Sequence, residues 1–284
     1  MKLLSLLFLS SFFLLSCDDE PFTTNEDLLV VEGWIEPGEF PIVLVTKNLS
    51  FSLSGEDLKN KVVRWAKVTV SDGEKEIILT GFPNKNFNPP YMYTCSKMRG
   101  VVGHSYTLRV EYEDQVVTAK TTIPPPIPID SFNVKKCTDS DTLYQIKAFF
   151  TDPLEEHNYY KFFTQVKKKE SCFHSSFLGC FDDLSFEKST VCASVYNGKY
   201  EKEEDFTPFF KIEDEVLIRF AQLNEPEYAF WSAYENAVNL SHDLFFPSHK
   251  SLPSNINGGI GFWCGYGSSI YKINIAKGTV TKCR

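Results

Sequence analysis

Short segments in which apolar and polar residues alternate constrain the fold of this chain more than any other feature. The clearest runs from Tyr106 to Tyr112, where every second residue is apolar, and another runs from Gln115 to Ile123. Successive side chains of a β-strand point to opposite faces of a sheet, so this period of two predicts half-buried strands. About seven such segments, separated by turns, precede residue 124, a number typical of an immunoglobulin-like sandwich. We therefore predict an immunoglobulin-like β-sandwich over residues 27–123.

A proline-rich stretch at residues 124–129 separates this sandwich from a second unit. Proline lacks the amide hydrogen that a sheet requires and favours an extended chain, so the stretch is predicted to be a semi-rigid linker. Strand patterns resume at residues 131–136, 143–151, 158–167 and 215–223, whereas residues 170–210 show no clear period. We predict a second β-rich domain over residues 130–284.

One amphipathic helix is predicted within the second domain, over residues 225–238. Asn224 can cap its first turn, Pro226 lies where its missing amide hydrogen costs nothing, and Glu227 completes an arrangement like a capping box. The residues of its apolar face are Phe230, Trp231, Tyr234, Ala237 and Val238. The fold class is therefore predicted to be mainly β, with one helix.

Residues 1–16 have the pattern of an export signal. Lys2 precedes an apolar or hydroxyl-bearing run from Leu3 to Leu15, which as a helix would cover roughly 20 Å, short of the roughly 30 Å hydrocarbon core of a bilayer. This length indicates a signal peptide and not a spanning anchor. Ser16-Cys17 closes a sequence that looks like a bacterial lipobox, which predicts cleavage before Cys17 and attachment of a lipid to its thiol. An ordinary secretory signal with an incidental cysteine is the alternative.

The residues from 17 to 26 are polar and turn-rich, as expected of a tether between a lipid and a folded domain. A diacylglycerol on Cys17 would supply the more than one acyl chain that stable anchoring requires. Asp18, Asp19 and Glu20 resemble the acidic signal that directs Bacteroidetes lipoproteins to the cell surface, although a solvated start to the tether also explains them. We expect a protein that is lipid-anchored in the outer membrane and faces the cell surface.

The net charge of the chain bears on nucleic-acid binding, and its cysteine content bears on disulfide formation. The formal net charge is -8, and the only basic cluster is Lys167-Lys168-Lys169, so nucleic acid is not an expected partner. Seven of the eight cysteines remain when Cys17 carries a lipid, and an exported chain can oxidise them. Cys172 with Cys180, and Cys264 with Cys283, are candidate disulfides, while the odd number leaves at least one thiol unpaired.

The sequence contains no catalytic or metal-binding motif that defines a site. Neither a G-x-S-x-G elbow nor an H-E-x-x-H pair occurs, so we predict a protein that is not an enzyme and needs no cofactor. His174 among Cys172, Cys180 and Cys192 allows a zinc site, but no C-x2-C pair is present and disulfides are favoured. The acidic turn with Asp152, Glu155, Glu156 and His157 allows a calcium site, but it lacks the spacing of an EF-hand, so no metal is predicted. The group formed by His242, Asp243 and His249 is interpreted as a surface loop.

Aromatic side chains offer the remaining binding candidates. Tyr91 and Tyr93 follow Asn88-Pro89-Pro90 in a predicted loop, where their rings could stack on a sugar or a peptide. Core packing is the alternative for these residues and for the four tryptophans. The glycine-rich residues 258–267 are not followed by a predicted helix, so they indicate a tight turn and close backbone packing rather than a nucleotide loop.

Five blocks of sequence together resemble a known family. They are LVVEGWIE at Leu29–Glu36, YTLRVEY at Tyr106–Tyr112, TTIPPPIPIDS at Thr121–Ser131, FTDPLEEHNYYKF at Phe150–Phe162 and NINGGIGFW at Asn255–Trp263. In this order they are similar to the Bacteroidetes lipoproteins grouped as the DUF4249 family, and they cover most of the mature chain. The segment from Cys172 to Cys192 departs from the family pattern, and no catalytic residue is carried over.

The resemblance implies a function at the cell surface. Members of that family are typically encoded beside TonB-dependent outer-membrane receptors, which implies such a receptor as the partner of this chain. We therefore expect a non-enzymatic binding or lid component of a TonB-dependent nutrient-uptake system, with an unknown ligand. The alternative is a structural or assembly lipoprotein of the outer envelope that captures no nutrient.

Overall fold

The computed structural model describes residues 28–47, 61–153, 157–184, 189–198, 206–240 and 252–284. The signal peptide, Cys17, the acidic residues after it, Glu155, Glu156 and the group His242, Asp243 and His249 lie outside these ranges. Within the described ranges the strands are β1 (Leu29–Ile35), β2 (Ile42–Lys47), β3 (Lys67–Ser71), β4 (Glu76–Ile78), β5 (Thr80–Pro83), β6 (Tyr91–Thr94), β7 (Ser105–Tyr112), β8 (Gln115–Thr122), β9 (Ser131–Lys136), β10 (Leu143–Thr151), β11 (Tyr159–Val166), β12 (His174–Asp182), β13 (Thr190–Val195), β14 (Phe210–Lys211), β15 (Glu215–Leu223), β16 (Ile260–Gly265), β17 (Gly267–Asn274) and β18 (Thr279–Lys282). The helix is α1 (Glu225–Leu240). The predicted mainly β fold class is confirmed, and the predicted helix is the one found among the described residues.

The first β-sandwich consists of two sheets, with strand orders β16-β1-β2-β6-β5 and β4-β3-β7-β8. The alternation that predicted these strands places one face of each sheet in a shared core. Val31 and Val45 come from the first sheet, and Val68, Leu108 and Val117 come from the second. All five side chains are almost completely buried, so the two sheets enclose an apolar core as expected of a sandwich.

Strand β16 returns the end of the chain to this first sandwich. It pairs in parallel with β1, from Val30 opposite Ile260 to Ile35 opposite Gly265. Trp263 is fully buried in the first core, and its indole nitrogen donates a hydrogen bond to the carbonyl of Tyr106 at 3.0 Å. The predicted boundaries assigned this segment to the second domain, because a period of two identifies a strand but not the sheet that it joins.

The second β-sandwich consists of sheet β12-β11-β15-β17-β18 and a smaller sheet in which β10 pairs with β9, β13 and β14. Its core is rich in aromatic rings, among them Phe150 from β10, Phe162 from β11 and Phe220 from β15. Phe162 and Phe220 stack with their ring centroids 4.7 Å apart. Strands β9, β10 and β15 have the bounds that the alternation predicted.

The proline-rich connection at residues 124–129 is packed rather than free. Ile127 and Ile129 are buried in the second core, and the amide of Ile129 donates to the hydroxyl of Tyr271 at 2.8 Å. At Gly267 a side chain would have its Cβ only 2.3 Å from the carbonyl oxygen of Pro124. The connection is therefore held at its start by the close approach of Pro124 to Gly267 and at its end by the hydrogen bond from Ile129.

The helix α1 covers the outer face of the second sandwich and also reaches the first. Phe230 packs against Phe262 of β16 with centroids 4.3 Å apart, and Trp231 donates from its indole nitrogen to the hydroxyl of Tyr266 at 3.0 Å. These residues belong to a third apolar cluster that includes Phe163 of β11. Among the described residues, no helix has the length and apolar character needed to cross a bilayer.

Candidate functional site

A groove runs along α1 where the helix meets the ends of β11 and β12. Its volume is about 390 Å³, and it is open to solvent. The residues that line it are His157, Tyr159, Asp182, Glu225, Tyr228, Ala229, Ser232, Ala233 and Asn236. We call this feature the helix groove. His157, Tyr159 and Asp182 form the wall on the side of the sheet, and the other six lining residues belong to one face of α1.

The imidazole of His157 is fixed by groups of the protein on both sides of its ring. Its Nε2 lies 3.2 Å from a carboxylate oxygen of Asp183 and 4.0 Å from one of Asp182. Its Nδ1 lies 3.2 Å from the hydroxyl of Tyr159. Asp183 also accepts the backbone amide of Asn158 at 2.8 Å. Because both ring nitrogens are engaged, the imidazole acts as a structural part of the groove wall.

Tyr159 of β11 and Tyr228 of α1 contribute the two tyrosine rings of the groove. Tyr159 and Tyr228 stack with centroids 4.7 Å apart, and the ring of His157 lies 4.5 Å from that of Tyr159. The hydroxyl of Tyr228 donates to Asp182 at 3.2 Å. Burial and the charge of Asp182 raise the pKa of Tyr228 to about 12, so its hydroxyl keeps its proton at neutral pH. Burial and nearby carboxylates, first that of Glu225, also raise the pKa of Tyr159.

An ion pair beneath α1 fixes the helix over the sheet. Lys161 points outward from β11 on the same face as Tyr159, but it is fully buried. Its ammonium donates to Glu235 of α1 and, at 2.7 Å, to the hydroxyl of Ser175. Glu235 also accepts the backbone amide of Cys180 of β12 at 3.3 Å. One carboxylate of the helix thus contacts two strands of the sheet.

The start of α1 is tied to the first sandwich. The side-chain nitrogen Nδ2 of Asn224 donates to the backbone carbonyl of Thr122 at 2.9 Å and to the carboxylate of Glu227 at 3.1 Å. Glu227 is buried and accepts the hydroxyl of Thr121 at 2.5 Å. The sequence predicted that Asn224 and Glu227 mark this helix start, and the helix does begin at Glu225. Their side chains also connect the two sandwiches, which the capping pattern did not predict.

A family model described as "Domain of unknown function (DUF4249)" matches residues 18–270. The chain belongs to this family. No curated protein matches the chain at a significant level. The match to DUF4249 includes the helix groove and the first sandwich, and it ends within β17 of the second sandwich.

The two tyrosines of the predicted aromatic site differ in exposure in this DUF4249 protein. Tyr91 and Tyr93 lie in β6 rather than in a loop. Tyr93 is buried in the first core, where its hydroxyl donates to the carbonyl of Val63 at 2.8 Å, so its ring is not available for stacking on a ligand. Tyr91 is half-buried with its ring edge toward Tyr93 at 5.6 Å. The tryptophan that is exposed is Trp65, at 88%.

The seven cysteines in the described ranges of the DUF4249 protein are free thiols, so neither candidate pair is joined in the structure. Cys264 is buried below α1, whereas Cys283 is exposed near the chain end. The sulfur of Cys180 lies 4.0 Å from the backbone carbonyl oxygen of Tyr228 in the helix. Cys172 is 3.6 Å from Nε2 of His174, where burial lowers the pKa of the imidazole.

Neither of the alternative metal clusters is assembled among the described residues. No three His, Cys, Asp or Glu side chains meet there in a geometry that could hold a metal ion. Asp152 accepts the hydroxyl of Tyr160 in the second core, whereas His157 faces Asp183. Asp152 and His157, the two described members of the acidic turn, are therefore divided between the core and the helix groove.

The sequence pattern marked His157 as part of an acidic turn, but it did not indicate that this residue lines a groove along α1. Its partner Asp182 is the last residue of β12, and Asp183 follows directly. Both lie within residues 170–210, where the sequence shows no clear period. The only signal for the helix wall was the succession Ala229, Ser232 and Ala233, small residues at the spacing of one helical face. That pattern indicates an accessible face but not what lies opposite.

Proposed function

We propose that this DUF4249 protein is a lipid-anchored lipoprotein of the outer membrane, exposed at the cell surface, that serves as a non-enzymatic binding or lid partner of a TonB-dependent nutrient-uptake receptor. The observation that carries the binding part of the proposal is the helix groove. It offers aromatic faces, carboxylates and a hydroxyl in one open concavity, the mixture typical of a small-ligand site.

The anchor part of the proposal rests on sequence. The lipobox ending at Cys17, followed by Asp18, Asp19 and Glu20, would put a lipid twelve residues before Leu29, where β1 begins. A tether of this kind would keep the two sandwiches close to the membrane surface and within reach of a receptor. The receptor itself is proposed from the resemblance to lipoproteins of this family.

The arrangement of the groove favours binding over catalysis. Ser232 contributes an aliphatic hydroxyl to the groove, and His157 contributes its imidazole. A general base must offer a free nitrogen to the hydroxyl that it activates. Both nitrogens of His157 are within reach of other groups, Tyr159 on one side and Asp183 on the other. This geometry supports a role for the imidazole in shaping the groove.

The test is a mild-detergent pull-down of the tagged full-length lipoprotein from its native envelope, with partners identified by mass spectrometry. We expect one TonB-dependent receptor in stoichiometric amount. Recovery of envelope-assembly proteins, or of no partner, would contradict the uptake role and favour the structural lipoprotein.

The lipid anchor has its own test. A Cys17→Ala variant is expected to leave the membrane fraction, because it removes the thiol that would carry the acyl chains. A Cys283→Ala variant, which changes an exposed thiol far from the tether, is the matched control and should remain membrane-bound. Membrane pelleting of the Cys17→Ala variant equal to that of the control would contradict lipidation.

A further inference from the structure

We propose that one end of the first sandwich rests on the phospholipid surface of the membrane, with the indole of Trp65 inserted among the lipid headgroups. This inference rests on the proposed lipid anchor and names the surface of the folded protein that faces the bilayer. The surface consists of the start of β1, the end of β2, residues 61–67, the turn between β7 and β8, and the start of β16. We call it the Trp65 end.

Trp65 is an exposed tryptophan on a fixed backbone. Its side chain is 88% exposed, the largest fraction among the large apolar side chains of the described ranges. The carbonyl of Arg64 accepts the hydroxyl of Tyr91 at 3.3 Å, and the amide of Ala66 donates to the hydroxyl of Tyr93 at 3.1 Å. The residues on both sides of the indole are thus tied to β6, and its ring has no aromatic neighbour among the described residues. Water is an unfavourable environment for an indole, so this fixed exposure indicates a partner that covers the ring.

The Trp65 end is also where the proposed tether enters the fold. Leu29, the first residue of β1, lies opposite Lys47 of β2, and the amide of Lys47 donates to the carbonyl of Lys61 at 3.0 Å. Trp65 follows four residues after Lys61. Cys17 precedes Leu29 by twelve residues, a length that spans at most roughly 40 Å when fully extended. A lipid on Cys17 would therefore hold this end of the sandwich near the bilayer.

Two further apolar side chains are exposed at the Trp65 end. Ile260 begins β16 and pairs with Val30, next to Leu29. Val116 pairs with Glu111 beside the turn between β7 and β8. The side chains of Ile260 and Val116 are 36% and 43% exposed. Separate apolar side chains at one end of a domain suit a broad partner, and the headgroup region of a bilayer is such a surface.

The charges at this end favour an anionic lipid surface. Lys61 and Arg64 flank the indole in sequence, and neither has a carboxylate partner among the described residues. Glu111 and Glu113 are each paired with a lysine, at 3.1 and 3.4 Å, which leaves Asp114 as the unpaired carboxylate of the nearby turn. Tryptophan beside lysine and arginine is the combination that anchors proteins at the headgroup level of a membrane.

The experiment measures quenching of tryptophan fluorescence by brominated lipids. The purified lipoprotein is reconstituted into vesicles of phosphatidylcholine and phosphatidylglycerol whose acyl chains carry bromine near the headgroups, and vesicles without bromine give the reference intensity. We expect quenching in the wild type and at least about twofold less in Trp65→Phe, because only an indole at the membrane interface meets the bromine. Trp34→Phe, which changes a half-buried indole of the third apolar cluster, is the matched control and should be quenched like the wild type. No quenching in the wild type, or equal quenching in Trp65→Phe, would overturn the proposal.

A second pair of variants tests the charge. Lys61→Gln with Arg64→Gln removes the two cations beside the indole, and Lys135→Gln with Lys282→Gln removes two exposed cations from the second sandwich. We expect phosphatidylglycerol to increase quenching in the wild type and in the second double variant, but not in the first. Loss of this increase in both double variants would show a general effect of net charge and would overturn the assignment to an anionic surface.

Further outcomes separate the membrane contact from unfolding, from the anchor and from self-association. Because Trp65 is exposed, Trp65→Phe should keep the melting temperature of the wild type. Lipoprotein that floats with the vesicles without quenching through Trp65 would retain the anchor and remove the contact. Protein without a lipid that is still quenched through Trp65 would retain the contact and remove the anchor. A dimer in detergent that sedimentation detects in the wild type and not in Trp65→Phe would assign the indole to a second copy of the chain and overturn the membrane contact.

Discussion

Glu227 shows how a single carboxyl group can make stability depend on pH. It is 3% exposed, one of its oxygens accepts from Thr121 and Asn224, and the other is buried without a hydrogen-bond partner among the described residues. Burial raises the pKa of this carboxyl above its ordinary value of 4.5. The folded protein therefore holds the proton to higher pH than the unfolded chain. Its contribution to stability is full below pH 4.5 and is lost as the pH rises through the folded pKa.

Glu227→Gln should remove this pH dependence. Glutamine mimics the protonated carboxyl in shape and can still accept from Thr121 through its carbonyl oxygen. We expect the free energy of unfolding of the wild type to fall relative to that of the variant between pH 4.5 and pH 8, as measured by urea denaturation. The control is Glu74→Gln in an exposed turn. Parallel stability curves for wild type and Glu227→Gln would contradict the raised pKa.

The pair of Lys161 and Glu235 should respond differently to one substitution and to two. Burial lowers the pKa of Lys161, and the carboxylate of Glu235 partly offsets this effect. Glu235→Gln leaves a fully buried ammonium without a counter-charge, which costs about 3–5 kcal/mol of unfolding free energy. Lys161→Met with Glu235→Gln removes the stranded charge, so we expect it to be more stable than Glu235→Gln alone in chemical denaturation. Lower stability of the double variant would indicate that the ammonium is needed for its packing.

At the scale of elements, β16 depends on the absence of a side chain at Gly261. Its φ is +118°, and a Cβ there would lie 1.9 Å from the carbonyl oxygen of Val31, in the middle of the parallel pairing with β1. Gly278 also has a positive φ, +60°, but a Cβ there meets nothing within 4 Å. Gly278→Ala should cost about 1 kcal/mol from backbone strain alone.

Gly261→Ala should cost at least about twice as much as Gly278→Ala, because the strands must separate as well. Thermal unfolding followed by circular dichroism measures both variants under the same conditions. Similar melting temperatures for the two would indicate that β16 can shift away from β1 without loss. Close packing of the glycine-rich residues 258–267 was predicted from sequence, and the short distances at Gly261 confirm it.

The elements that sequence predicted best are those with a strong period or a strong boundary signal. Strand β10 alternates along its length, strand β15 is a nine-residue segment rich in apolar residues, and both have the predicted bounds. Pro226 marks the start of α1. Strands β12 and β13 were not predicted, since their burial does not alternate regularly and cysteine, serine and glycine interrupt them. The groove was missed for the same reason: Asp182 ends β12, and nothing local indicates that it will meet α1.

For the whole molecule, the two sandwiches share parts that are distant in sequence. Glu36 follows β1 and is buried, yet it lies 3.0 Å from Arg219 of β15 and accepts the hydroxyl of Ser268 at 2.5 Å. Arg284 at the chain end also contacts Glu36. Because β16 belongs to the first sandwich and β17 to the second, the chain passes between them through Tyr266 alone. Their interface is therefore continuous with both cores.

Because β16 comes from the C-terminal part of the chain, we expect the first sandwich to be incomplete without that part. A fragment of residues 28–123 lacks β16, and with it the indole of Trp263, which is fully buried in the first core and packs over Gly33. Losing a large buried aromatic side chain costs about 3–5 kcal/mol, a large share of the 5–15 kcal/mol that stabilises a typical domain. We expect the fragment to unfold without a sharp transition in urea and to bind a hydrophobic dye.

Adding a synthetic peptide of residues 252–266 should restore a cooperative transition, because it supplies β16 for pairing with β1 and Trp263 for the core. The same peptide with Trp263→Ala is the matched control, since it retains the backbone hydrogen bonds but not the indole. Rescue by the first peptide and not by the second would assign the deficit to the core. A fragment that unfolds cooperatively by itself would contradict the shared architecture, because each sandwich would then hold its own complete core.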